Sequence, residues 1–183
     1  MEEFDATAYG PEIAGVLALD ANGHRLMPLT ARVCSSQPAR QYLNSSAALF
    51  PNPALLAGLW LYFSCFDEAH DLVSASSTPE CELWHAILHR QEPDSGNAAY
   101  WFRKAGPHPV FSKISHAAVR ILERHPDAEF RAGKWDPFAF IAFCERARQQ
   151  PGTTQEQAAL EIQRAEWQIL FDYCARSSPR GSA

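Results

Sequence analysis

The sequence predicts an all-α fold, a single-domain helical bundle of about seven helices. Capping side chains followed at once by proline stand ahead of apolar runs at Asn52-Pro53, Thr78-Pro79, Asp136-Pro137 and, less cleanly, Gln37-Pro38. Proline at a first helical position removes an N–H that would have no intrahelical partner, so such pairs mark helix starts. Apolar residues behind these starts recur at helical rather than strand spacing. A chain of 183 residues, 46% of them hydrophobic, is also the size of one domain that can bury its own core.

Taken in order, the N-terminal segment GVLALDANGHRLMPL is the exception to the helical pattern. Its Asn22-Gly23 between apolar-alternating flanks reads either as a short β-hairpin or as a short helix followed by a loop. ARQYLNSSAAL follows Pro38 as a helix, and the run from Pro53 to about Ser74 reads as one long helix whose first half, ALLAGLWLYF, is apolar all round. Such a helix has neighbours on several sides, which assigns Leu59, Trp60, Phe63 and Phe66 to the core. Next come the helix from Pro79 to about residue 91, then SGNAAYWFRKA stopped by Gly106-Pro107, then VFSKISHAAVRILER stopped near Pro126. FAFIAFCERARQQ follows Pro137, and a last long helix begins at Thr153 or Thr154, where Thr153 and Glu156 have capping-box spacing. The helical domain is expected to span residues 1–176, with 177–183 a disordered tail.

Composition excludes several classes of partner. A formal charge of −5 without a Lys/Arg run gives no footprint for nucleic acid or for an anionic membrane surface. ALLAGLWLYFSCF is shorter than the roughly 20 residues that span a bilayer, and MEEFDATAY lacks the basic and apolar parts of a secretory signal. Cysteines 34, 65, 81, 144 and 174 are scattered, odd in number and without a C-x-x-C pair, which predicts reduced thiols and a cytoplasmic setting. No G-x-S-x-G, phosphate-cradling glycine loop or H-E-x-x-H is present, so serine hydrolase, nucleotide-binding and zincin chemistry lack their motif.

The chemistry concentrates in ELWHAILHRQE, residues 82–92. Glu82, His85, His89 and Glu92 share about a quarter of the helix circumference, opposite Leu83, Trp84, Ile87 and Leu88. Only five residues, SASST, join this helix to the one before it, so the two are expected to pack antiparallel. Asp67 and His70 of the first then stand level with Glu82 and His85 of the second. Facing acid-x-x-His pairs on neighbouring helices bring a carboxylate and an imidazole to one ion. His70, His85, His89, Asp67 and Glu82 are therefore candidate ligands for a divalent transition metal such as zinc, iron, manganese or nickel. Glu161, Glu166 and Asp172 of the last helix are further carboxylate donors. Against this stand a metal-free polar pocket and a solvated polar stripe, which the same spacing also produces.

A second candidate surface follows directly. Asp94-Ser95 caps a helix with Gly96 and Asn97 in its first turn, and Arg90, Arg103, Lys104 and His108 lie close in sequence. Arg90, Trp101, Arg103 and His108 are candidate ligand contacts, the cations for a small-molecule carboxylate or phosphate and Trp101 as a stacking face. Arg103 and Lys104 also complement a helix C-terminus without any ligand.

Two resemblances attach to this region. NAAYWFRKAG resembles the helix-turn segment of Sel1-like and tetratricopeptide repeats; it occurs once, and one copy makes no repeat stack. The run from FDEAHDL through WHAILHRQEPDSGNAAYWFRKAGPHPVF is similar to a family of uncharacterised bacterial and fungal proteins, a likeness that implies no role for any residue. Two functions are expected to compete. One is a metal- or small-ligand-binding protein, a hydrolase or lyase, with histidines as ligands or acid/base groups and the acids as ligands or orienters. The other is a non-catalytic module whose residues 100–111 bind another protein through an exposed Trp101-Phe102 patch.

Overall fold

The computed structural model describes residues 4–30 and 33–177, and among them helix is the regular secondary structure, with no strand. Nine α-helices run in the order α1 (Pro11–Leu17), α2 (Gln37–Ser45), α3 (Pro53–Tyr62), α4 (Phe66–Ser74), α5 (Pro79–Gln91), α6 (Ser95–Ala105), α7 (Val110–Arg124), α8 (Pro137–Ala147) and α9 (Thr154–Ser177), with three short 3-10 turns. Local chemistry sets most starts. The Asn52 side chain accepts from the Ala54 and Leu55 amides, Thr78 from Cys81, Asp136 from Phe138 and Ala139, and each is followed by proline. At α2 the cap is Ser36, one residue earlier than Gln37. At α9 the Thr153 hydroxyl accepts from the Glu156 amide, while the Glu156 carboxylate accepts from the Gly152 amide. The tail after Ser177 lies outside the described residues.

Two expectations about elements are corrected. Asn22-Gly23 forms no hairpin: it sits in a 3-10 turn, Ala21–Gly23, after α1. Its backbone is satisfied from a distance, by the Tyr62 hydroxyl, which accepts from the Gly23 and Arg25 amides at 3.1 Å each and donates to the Asp20 carbonyl at 2.5 Å. The long helix expected over 53–74 is two helices. Ser64 takes φ 58, a left-handed conformation that interrupts the helical ladder, and α4 restarts after Cys65. Arg25 spans the break, donating to the Tyr62 carbonyl and to the hydroxyls of Ser35 and Ser64.

Cys34 and Cys65 are disulfide-bonded beside this break, which corrects the expectation of five reduced thiols; Cys81, Cys144 and Cys174 are free and buried. Two cysteines 31 apart in sequence carry no pairing motif, so only the fold brings them together.

The core surrounds α3 and α5. Every residue from Ala54 to Tyr62 is buried, as are Leu59, Trp60, Phe63 and Phe66. Gly58 lets α3, α5 and α9 approach: a Cβ there would lie 2.9 Å from the Trp84 ring and 3.2 Å from that of Phe171. The Gly58 carbonyl accepts from the Trp167 indole at 2.8 Å. α5 is buried from Cys81 to Gln91, polar residues included. Enclosing histidines, a glutamate and an arginine costs free energy wherever a polar group meets no partner, and the partners these groups find or lack define the site.

Candidate metal centre

α4 and α5 are joined by residues 75–78 and pack against one another. His70 projects from the second half of α4, and His85 and His89, four apart on α5, project toward it. The three rings meet. His70 lies edge-on to His85 and His89 at centroid distances of 4.9 and 5.6 Å, while His85 and His89 stack at 4.8 Å. One ring nitrogen from each falls within 4.8 Å of the others. A tetrahedral zinc with Zn–N of about 2.0–2.1 Å spaces its nitrogens about 3.4 Å apart, so the rings would have to draw together from the present spacing to share an ion. His85 is 3% and His89 7% exposed, and His70 is half-buried at the mouth.

The solvated-stripe reading fails on this burial. Enclosure also decides protonation: burial, and then the charges of His89, His70 and Lys104, lower His85 to about 4. Burial likewise lowers His89 against the opposing pull of Glu92. A neutral imidazole presents a lone pair. The His85 Nδ1 is buried with no hydrogen-bond partner, an uncommon state for a polar atom of a native core.

The surroundings fix the rings. His89 Nδ1 donates to Glu92 Oε2 at 3.0 Å, a tautomer that leaves Nε2 with its lone pair. The Asn97 amide lies 3.2 Å from that Nε2 and donates to it. A carboxylate behind an imidazole raises its basicity and holds its orientation, as behind metal-bound histidines generally. On the other side the Trp101 ring stacks on His85 at 3.8 Å and 16°, and Lys104 Nζ sits 4.4 Å over Trp101.

The five metal candidates therefore separate. His70, His85 and His89 come together. Glu82, although buried, turns to Lys104 at 3.1 Å, holding the ammonium that covers Trp101. Asp67 is exposed in the first turn of α4 and lines a small cleft with Arg40, Cys34 and Ser64; the break at Ser64 re-aims α4, so Asp67 no longer continues the face of Trp60 and Phe63. The further donors are also engaged elsewhere: Glu166 with Arg90, Glu161 with Arg124 and His125, Asp172 with Tyr9 and Arg176.

The ligand-contact candidates separate too. Trp101 walls the triad. Arg90, 1% exposed, points the other way into a bidentate pair with Glu166, at 2.5 and 3.2 Å, and over the Phe140 ring. Arg103 is exposed and lies over Phe138 at 5.4 Å. His108 is buried against Glu80 at 3.4 Å and Tyr173. Phe102 is buried and Trp101 covers His85, so no exposed Trp101-Phe102 patch exists.

Glu92 and Asn97 are the site residues that sequence reasoning left out of the ligand set. The i, i+3 spacing of His89 and Glu92 was a signal for the first; Asn97 reaches His89 only because α6 folds back on α5. No family model, curated protein or solved structure matches the chain, so the roles of these residues rest on their geometry.

Proposed function

We propose that His70, His85 and His89 form a three-imidazole centre for a divalent transition metal, zinc first, and that a fourth position toward the His70 side takes water or a small anionic ligand. The convergence of three histidines, two of them enclosed and held neutral, carries this reading. Three neutral imidazoles without a bound carboxylate suit zinc, copper, nickel or iron. A site with three protein ligands and one open position is the catalytic rather than the structural pattern for zinc. There the metal would lower the pKa of a bound water and polarise a substrate oxygen, which supports hydrolase or lyase chemistry. Glu92 orients His89, Asn97 yields the Nε2 lone pair to the ion, and Trp101 with Lys104 closes the side behind His85.

We also take residues 1–176 as one helical domain, supported by a hydrophobic cluster that draws on residues from Ala6 to Cys174. No helix among the described residues is long and apolar enough to cross a membrane. We propose a cytoplasmic location on the three free thiols, and the Cys34–Cys65 bridge, a feature rare in that compartment, stands against it; cell fractionation decides between them.

Calorimetric titration of the metal-stripped protein with zinc at neutral pH, alongside elemental analysis of the protein as purified, tests the centre. One ion per chain and loss of binding in His85→Ala are expected. Equal, negligible uptake by both proteins would defeat it.

A further inference from the structure

A second concave feature lies far along the chain from the triad, where α7 and α9 pack together and the residues around Phe4 and Tyr9 close one end. This groove has a volume of about 1280 Å³. Its α7 wall follows one helical face, with Lys113, Arg120 and Arg124 exposed along it and Ala117 and Ile121 beneath them. Its α9 wall repeats the pattern, with Arg164 and Arg176 above Ala165 and Ile169. The rims are cationic, and the floor between them is a narrow apolar strip of side chains that are each 3–8% exposed.

Charge distinguishes this face from the rest of the molecule. Five Lys or Arg side chains line it against three acids, Asp5, Glu161 and Asp172, whereas the whole chain carries −5. Two of the acids are already engaged: Glu161 binds Arg124 at 2.6 Å and Asp172 binds Arg176 at 2.6 Å. Lys113 and Arg120 have no carboxylate within ion-pair distance among the described residues. At about 1.5 Å per residue the lining runs roughly 16 Å along α7 and roughly 22 Å along α9. Cations spread over such a length do not converge on a single phosphate; they match an anion whose charges are also spaced. A small-molecule pocket is smaller and more enclosed, while a groove between two helices with an apolar floor receives the apolar stripe of a third.

We propose that this groove docks an acidic amphipathic helix of a partner protein, about three to four turns long, its apolar stripe on Ile121 and Ile169 and its carboxylates beside Lys113 and Arg120. The probe is a fluorescein-labelled peptide of about 14 residues with leucines at i, i+3, i+4 and i+7 spacing and glutamates elsewhere; its controls carry glutamine or lysine for glutamate. Fluorescence polarisation with the full chain should show binding of the glutamate peptide alone, weakening about tenfold between about 0.05 and 0.3 M salt. Lys113→Glu with Arg120→Glu, both at exposed positions, should weaken it at least about tenfold, and His85→Ala should leave it unchanged. The proposal is overturned if the glutamine peptide binds equally, if the double charge reversal has no effect, or if His85→Ala removes binding, which would place the peptide at the histidines. Full displacement by millimolar inorganic phosphate would also overturn it, in favour of a small-anion site.

Discussion

At the scale of single residues the chain spends its burial on imidazoles. Enclosing His85 and His89 disfavours their charged forms, which readies lone pairs for an ion but costs stability in acid. His85 is lowered from the ordinary 6.5 to about 4, so between those values the unfolded chain binds the proton that the folded chain refuses. Its full contribution to stability is present above about pH 6.5 and declines as the pH falls toward 4. Urea midpoints measured for the metal-free protein between pH 7.5 and 4 should fall, and should fall less in His85→Gln, which has no titratable ring; parallel curves would contradict the enclosure of His85. Glu92→Gln replaces the carboxylate behind His89 with a neutral amide of the same shape, and should lower zinc affinity about 10- to 100-fold without moving the thermal midpoint of the metal-free protein. The three histidines were legible as candidates because i, i+4 and i, i+3 spacing is a property of the helix itself. Their burial was not, because Lys104 above Trp101 and Asn97 beside His89 arrive from α6, and nothing within ELWHAILHRQE specifies that covering. The same holds for Arg90: its neighbour His89 faces the site, yet its own partner, Glu166, stands 76 residues away.

At the scale of elements, helix starts were readable because the capping side chain and the proline sit within three residues of the backbone groups they serve. The break between α3 and α4 was not. Phe63, Ser64 and Cys65 include neither glycine nor proline, and the left-handed Ser64 is held by Arg25 and the neighbouring Ser35, residues that local sequence cannot supply. Asn22-Gly23 failed for the same reason, its turn being served by Tyr62 rather than by a strand ladder. The break has a consequence for the site, since it turns α4 so that His70 rather than Asp67 faces α5. Close packing of α3 explains its glycine. Gly58→Ala gains helix propensity of about 1 kcal/mol, but the new methyl meets rigid rings of Trp84 and Phe171, and overpacking typically costs about 1–3 kcal/mol. Denaturant unfolding should therefore show a net loss or no gain; a stabilisation approaching 1 kcal/mol would mean that the two rings move aside freely. Phe63→Ala, at a fully buried ring, should cost about 3–5 kcal/mol.

Across the whole molecule, one buried polar network ties the element bearing the site to distant segments. Arg90 of α5 pairs with Glu166 of α9, Gln163 donates from α9 to the Met27 carbonyl, and Arg148 donates to the carbonyls of both Arg90 and Leu29. Breaking one side of a buried pair leaves a charge without compensation, so Glu166→Gln should cost about 3–5 kcal/mol, whereas Arg90→Met combined with Glu166→Leu should recover much of it; denaturation of the three variants checks this, and a double variant no better than the single one would show that the network does more than neutralise a charge. By anchoring α5 from behind, this network holds the face with His85 and His89 against α4, and the molecule presents two histidine positions on a rigid helix and a third on a shorter one. The proposed centre requires a definite coordination shell. X-ray absorption at the zinc edge of the protein loaded with one equivalent of zinc reads that shell directly: three imidazole nitrogens at about 2.0–2.1 Å with one oxygen ligand is the predicted result, falling to two imidazoles in His70→Ala, and a shell of oxygen ligands alone, unchanged by that substitution, would contradict it.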